Sequence, residues 1–157
     1  MQNSLIVSTA AYDGYSFEEA FASLNRLGVQ FVELAFIGGY TEAFTEDYFC
    51  QENVDIILQQ LKQQGLRCTS FSSHVDLTAD GIVDVFKKRM DFAKAVGADT
   101  IVTNAAPVTK ADLFYKNIKE LAAHAEKLEL IIGLENPGDG RENVVNQGEG
   151  SVEVMEK

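Results

Sequence analysis

Three short stretches share one design: Leu27-Gly28-Val29-Gln30, Gln64-Gly65-Leu66-Arg67 and Val96-Gly97-Ala98-Asp99. Each places a glycine where a helical pattern stops and an apolar run is about to begin. Glycine there reaches the left-handed conformation that ends a helix at little cost. Leu128-Glu129-Leu130 occupies the same place without a glycine. Positions 28, 65, 97 and 129 are separated by 37, 32 and 32 residues. A period in the low thirties is that of a strand-plus-helix unit, so the chain is expected to be a series of such units carrying a parallel sheet.

The segments between the glycines agree. Ser4–Ala10, Gln30–Phe36, Arg67–Ser72, Thr100–Asn104 and Leu130–Leu134 are short runs rich in apolar and β-branched residues. They show little alternation, which predicts strands buried on both faces. Ser16–Leu27 opens with Ser16 and Glu19 at capping-box spacing, and Phe17, Ala20, Phe21, Leu24 and Leu27 then share a helical face. Val54–Gln64 and Asp80–Val96 repeat that period, and Thr109–Leu128 opens with Thr109 as N-cap and Asp112 at the capping-box position. Beyond Glu135 the character changes: Asn136-Pro137-Gly138-Asp139-Gly140 reads as a loop, and Ser151–Lys157 as the first turns of another helix. The order is therefore five strands and four to five helices. A flavodoxin-like doubly wound sheet also has five strands, but Ala10-Ala11-Tyr12-Asp13-Gly14-Tyr15 is a weak match to its loop after the first strand. A (β/α)8 barrel needs about 250 residues, so with 157 residues that reading makes the chain part of a barrel.

Composition bounds the function. The chain carries a net charge of −11. A field of that sign repels a phosphate backbone, so nucleic acid is not an expected partner. The longest basic run, Lys87-Lys88-Arg89, falls inside a predicted helix and reads as a solvated face. No apolar run approaches the roughly 20 residues that span a bilayer, and Met1-Gln2-Asn3-Ser4 lacks the features of a secretory leader. Cys50 and Cys68 form no metal or redox motif, which suits a reducing, cytoplasmic setting.

In such folds the reactive groups lie at the C-terminal ends of the strands. The second strand carries Glu33 among large apolar residues, where a bare carboxylate is costly and needs a partner. A structural hydrogen bond and a substrate contact both satisfy that need. The third strand delivers Ser72, Ser73 and His74, the fourth Asn104, and the fifth Glu135 followed by Asn136. His74 is read either as a structural histidine or as a site residue, and His124, inside a helix, as a surface residue. Glu135 ends an apolar strand, and a carboxylate at a barrel mouth suits a divalent cation or acid–base work. Its alternative is to anchor the following loop by accepting backbone N–H groups.

Taken in order, several of these pieces resemble one family. Gly28-Val29-Gln30-Phe31-Val32-Glu33-Leu34, Phe71-Ser72-Ser73-His74, Gly97-Ala98-Asp99-Thr100-Ile101-Val102 and Leu134-Glu135-Asn136-Pro137-Gly138 are similar to successive strands of the xylose isomerase-like TIM barrels. That superfamily includes sugar phosphate isomerases, epimerases and endonuclease IV. The resemblance implies Glu135 as a metal ligand and catalytic residue, His74 as a catalytic residue that orients substrate, and Glu33, Asn104 and Asn136 as substrate contacts. It implies a divalent metal (Mn, Mg or Zn) and a small sugar or sugar phosphate whose proton moves between carbons beside a carbonyl. The other metal ligands of the pattern fall beyond Lys157. Residues 1–157 are thus expected to be the N-terminal part of one barrel domain, truncated after the fifth strand and unable to hold metal tightly alone. Two other readings accompany this one. An endonuclease IV-like enzyme would carry a histidine at the fourth strand exit, where this chain has Asn104. A non-catalytic fragment would self-associate through its two open sheet edges.

Overall fold

Helix ends take the conformation their residues allow. Gly28, Gly65 and Gly97 have φ of +75°, +66° and +101°. Glu129 fills the fourth such place with φ +51° and is the non-glycine residue with positive φ among the described residues. These turns organise the computed structural model, which describes residues 5–39, 41, 43–135 and 142–145. Its strands are β1 (Ile6–Ser8), β2 (Phe31–Ala35), β3 (Arg67–Ser72), β4 (Thr100–Asn104) and β5 (Ile131–Glu135). Between them lie α1 (Phe17–Arg26), α2 (Gln51–Gln63), α3 (Ile82–Ala95) and α4 (Ala111–Leu128), with 3-10 turns at Thr9–Tyr12, Glu46–Tyr48 and Val108–Lys110. The loop expected over Asn136–Gly140 and the helical start expected over Ser151–Lys157 lie outside the described residues.

All four strand pairings are parallel, in the order β1-β2-β3-β4-β5. A doubly wound sheet of the flavodoxin type would run 2-1-3-4-5. Sequential order is that of a barrel wall, so the chain forms part of a (β/α)8 barrel and the doubly wound alternative is excluded. β1 and β5 are its two edges, and Ile6 and Ile131 on them are largely exposed. No helix among the described residues is long and apolar enough to cross a membrane.

Register sorts the strands into rows. Leu34, Phe71, Ile101 and Ile132 align across the sheet on the helix side. Ser8, Glu33, Ser70, Thr100 and Ile131 align in a row of the opposite parity. The strands thus alternate more than expected from their sequences: one face is buried and apolar but for Thr103, and the other mixes Glu33, Ser70, Ser72 and Thr100 with Phe31, Val102 and Ile131. Between Val32↔Cys68 and Glu33↔Ser70 the register shifts by one residue, with Thr69 as the extra residue of a β-bulge.

The core between sheet and helices centres on Phe36. Its ring lies 5.2–6.1 Å from those of Phe17, Phe44, Tyr48, Phe49, Phe71 and Phe92. Aromatic pairs at such separations add stability beyond the area they bury. Cys68 is buried beside them with its thiol donating to the Ser70 carbonyl, and burial pushes its pKa up to about 12.

Several boundaries differ from expectation. The first strand is shorter than Ser4–Ala10 because Ser8 accepts from the Ala10 amide and starts a 3-10 turn. Helix α2 begins at Gln51, one turn before Val54, and α3 begins at Ile82 after Gly81. Ser16 and Glu19 form the expected capping box. Thr109 does not cap α4: it sits inside the Val108–Lys110 turn, which leads straight into Ala111, and Lys110 holds the cap position without a side-chain bond. The Lys87-Lys88-Arg89 run is not a uniformly solvated face, since Arg89 is 6% exposed.

The fourth repeat turn offers a test. Replacing Glu129 by Gly should raise stability by roughly 0.5–1 kcal/mol, because a left-handed residue with a Cβ is strained. Replacing Gly65 by Ala should lower it by a similar amount, because no atom within 4 Å crowds the added methyl and the backbone alone decides. Urea unfolding of the two variants would measure the pair.

Candidate functional site

The strand ends bring His74 and Glu135 together across one intervening strand. Nε2 of His74 stands 2.9 Å from Oε2 of Glu135, with the histidine side chain 19% exposed and the glutamate 48%. Nε2 is nonetheless buried without a well-directed hydrogen bond among the described residues, even toward that oxygen. The contact is therefore a close approach of a nitrogen and an oxygen with no N–H aimed along it. Asn104 is the register partner of Glu135, and the Ala105 amide donates to the Glu135 carbonyl at 3.4 Å. Asn136 lies outside the described residues.

Glu33 sits deeper, on the polar face. Ser70 Oγ donates to its Oε2 at 2.8 Å, so the partner that a carboxylate among apolar residues requires is supplied by the neighbouring strand. The strand-end groups lie further along the same face. His124 pairs with Asp91 Oδ1 at 2.8 Å between α4 and α3, away from the strand ends, as expected of a surface residue.

A cavity of about 300 Å³ adjoins His74 and is bordered by Gly38, Gly39, Phe44, Glu46, Val75 and Arg89. Arg89 reaches it from α3. Its Nη1 donates to Ser73 Oγ at 2.9 Å, its Nε to Glu46 Oε2 at 3.2 Å, and its Nη2 to Glu46 Oε1. The guanidinium also lies 5.3 Å from the Phe44 ring and 5.1 Å from that of Phe49. One buried cation thus ties α3, the loop after β2 and the residue before His74 to each other. Neither Arg89 nor Glu46 was among the expected site residues. The signal was in the spacing, since Arg89 follows Phe86 by three and precedes Ala93 by four on the buried face of the helix.

The loop after His74 has its own brace. Asp76 accepts from the Thr78 amide at 2.8 Å, from the Thr78 hydroxyl, and from Lys110 Nζ at 3.1 Å. Burial alone would raise the carboxyl, but those hydrogen bonds and the lysine charge together hold it below the ordinary range. A free Asp titrates near 3.9, so this brace is fully present above about pH 4. It is lost as pH falls through the lower folded-state value.

Glu135 and His74 offer a divalent metal one oxygen and one nitrogen donor, a set suited to Mn, Mg or Zn. Two donors at about 2.1 Å from one ion and at a right angle stand about 3 Å apart, as these do. The unpartnered Nε2 fits such a ligand as well. Two donors are still too few: among the described residues no three of His, Cys, Asp and Glu gather as a metal site. The residues present fit part of a metal shell.

Two measurements test this framework. Glu46→Ala, leaving a buried guanidinium without its carboxylate, should destabilise by about 2–3 kcal/mol, below the value for fully buried pairs because Glu46 is 41% exposed. Arg89→Met should cost a similar amount, and the double variant should lose less than the sum of the two, as a double-mutant cycle by chemical denaturation would show. Asp76→Asn should be less stable than the parent at pH 7, with the difference shrinking as pH falls below about 4.

A family model described as the xylose isomerase-like TIM barrel matches residues 21–157. No protein with a curated description matches the sequence. Among solved structures, a D-allulose 3-epimerase from Methylomonas sp., in complex with D-allulose, superposes with a TM-score of 0.71 at 16% identity, over 99% of this chain and 59% of its own. A probable 3-DHS dehydratase of petrobactin synthesis from Bacillus anthracis gives 0.71 at 16%, over 98% and 58%. A xylose isomerase domain containing protein from Salmonella typhimurium LT2 gives 0.71 at 16%, over 99% and 58%. At these identities the likeness concerns the fold, and the chain spans about three-fifths of the length of each. With a family model covering most of its residues, the chain belongs to the xylose isomerase-like TIM barrels.

Proposed function

We propose that the intact protein is a metal-assisted isomerase or epimerase acting on a small sugar or sugar phosphate. The observation that carries this reading is the pair His74 and Glu135: a buried imidazole nitrogen without a hydrogen bond, 2.9 Å from a carboxylate oxygen, at the strand ends of a partial barrel. Glu135 and His74 would hold a divalent cation there, which when bound would supply polarisation of a carbonyl and its adjacent hydroxyl and so acidify the C–H on the hydroxyl-bearing carbon. Glu135 holds the cation and keeps negative charge at the mouth. His74 would give the cation its Nε2, and Ser73, fixed by Arg89, limits how far the histidine can move. Asn104, beside Glu135, donates to a substrate oxygen, and Glu33 accepts from a hydroxyl deeper on the polar face. The remaining ligands and the proton-accepting carboxylate are contributed by parts of the intact protein outside these residues.

The D-allulose complex of the epimerase neighbour and the dehydratase neighbour support a substrate in which a proton leaves a carbon near a carbonyl or hydroxyl. Asn104 in place of a histidine, and the charge of −11, disfavour the endonuclease reading. The test uses the intact protein incubated in D2O with Mn2+ and a panel of ketoses, aldoses and their phosphates. Deuterium should enter a carbon beside the carbonyl of one of them, Glu135→Gln should lower kcat/KM by at least about a hundredfold, and chelation should abolish exchange. Metal-independent exchange, or none with any sugar while the protein binds metal, would reject the proposal.

A further inference from the structure

A phosphate is recognised by cationic side chains or by unopposed helix N-termini. The strand-end loops of residues 9–16, 36–50, 73–81 and 105–110 carry Asp13, Glu42, Glu46, Asp47, Asp76 and Asp80 against one lysine, Lys110, and no arginine. Lys110 is paired with Asp76 at 3.1 Å. Arg89, which reaches the mouth from α3, has both carboxylate oxygens of Glu46 on it. Neither cation has charge to spare. The helix N-termini at this end of the sheet are opposed as well. Glu18 and Glu19 stand in the first turn of α1, Glu52 in that of α2, Asp84 in that of α3 and Asp112 in that of α4.

What the mouth offers beside His74 is aromatic. A cavity of about 320 Å³ lies between the loops after β1 and β2 and the start of α1, with Tyr12, Tyr15, Phe17, Phe44 and Tyr48 in its wall. It shares Ala43 and Phe44 with the cavity at His74, and Ala35 in its wall has the strand parity of Glu33. The two cavities are therefore parts of one surface at the strand ends. The hydroxyls of the aromatic part are largely engaged. Thr9 Oγ1 accepts from the Ala35 amide at 2.9 Å, and Thr41 Oγ1 accepts from the Ile37 amide at 3.0 Å and donates to the Ile37 carbonyl at 3.1 Å. Ser16 Oγ donates to Glu19 at 2.8 Å, and Tyr12 Oη to Ser23 Oγ at 3.1 Å. The charged group of the wall, among the described residues, is the exposed carboxylate of Asp13. A hydroxyl entering here gives up water for few partners, and a phosphate does so beside a like charge. C–H groups give up nothing against the rings.

We infer that the substrate is a non-phosphorylated sugar whose end remote from the reacting carbons lies against this aromatic wall and is poor in oxygen. The inference rests on the isomerase or epimerase reading of His74 and Glu135 and narrows it to the uncharged class. The carbonyl and its neighbouring hydroxyl keep the polar strand ends, and the far carbon of the chain meets the rings. Asp13 at the rim is then a specificity residue, which repels the phosphorylated form of the same sugar.

The test compares D-ketohexoses and D-aldohexoses, each as the parent sugar, its 6-deoxy form and its 6-phosphate, in Mn2+-dependent deuterium exchange by the intact protein. For the sugar that exchanges, kcat/KM of the 6-deoxy form should equal or exceed that of the parent, by up to about tenfold. The 6-phosphate should be at least about tenfold poorer than the parent. Asp13→Lys should raise the ratio of 6-phosphate to parent about three- to tenfold, and Tyr15→Ser should lower the ratio of 6-deoxy to parent about threefold. Both residues are exposed, so unchanged thermal unfolding is expected of both variants. A 6-phosphate that exchanges faster than its parent would overturn the inference and leave the isomerase or epimerase reading standing. So would a 6-deoxy form more than about tenfold poorer than the parent, the mark of a hydroxyl bound by a dedicated partner, or an Asp13→Lys variant with the original phosphate ratio. Exchange with none of these sugars would reject that reading and the inference with it.

Discussion

Burying a guanidinium costs several kcal/mol unless its N–H groups and its charge are met. In this chain that requirement is distributed over three elements. Glu46 supplies the charge and two acceptors, Ser73 a third, and the rings of Phe44 and Phe49 cover the faces. The loop after β2, the exit of β3 and helix α3 therefore cannot settle independently. The exit of β3 is where His74 begins, so the geometry of the candidate site inherits its precision from a cation that touches neither His74 nor Glu135 directly. Asp76 extends the same logic on the far side of His74, where Thr78 and Lys110 hold the loop that follows.

Much of the fold was legible because it depends on local rules. The glycines at 28, 65 and 97 end helices through their own φ preference, and Glu129 fills the fourth such place by force of the repeat around it. The capping box at Ser16 and Glu19 is equally local. What sequence reasoning missed was decided by partners far away in the chain. Thr109 looked like a cap until the Pro107 carbonyl engaged the Lys110 amide and the turn ran on into α4. Arg89 looked solvated because its neighbours Lys87 and Lys88 are, whereas its carboxylate partner lies 43 residues earlier. Single-face alternation was hidden because serine, threonine and glycine on the polar face do not stand out against β-branched neighbours.

The site divided in the same way. Strand exits are set by topology, so His74, Asn104 and Glu135 fell where a barrel series puts them. That Nε2 would lack a hydrogen bond is a matter of ring orientation, and no spacing rule carries it. Glu33 presented two readings from sequence, and the Ser70 hydroxyl at 2.8 Å provides the structural one without removing the other.

The bulge at Thr69 acts as a frame setter. Side chains alternate along a strand, so one extra residue exchanges the two faces for everything downstream. After it, Phe71 points with Leu34 into the aromatic core, and Ser70 and Ser72 share the face of Glu33. Cys68 stands opposite Val32 and Ser70 opposite Glu33, so with Thr69 present it is the bulge conformation that keeps the two faces sorted. Pairing Thr69 evenly with Glu33, with no bulge, would instead send Phe71 toward the polar face and Ser70 into the core, and would turn the histidine exit away from its carboxylate. The conformation of one residue thus decides which side chains of β3 face the core and which face the site.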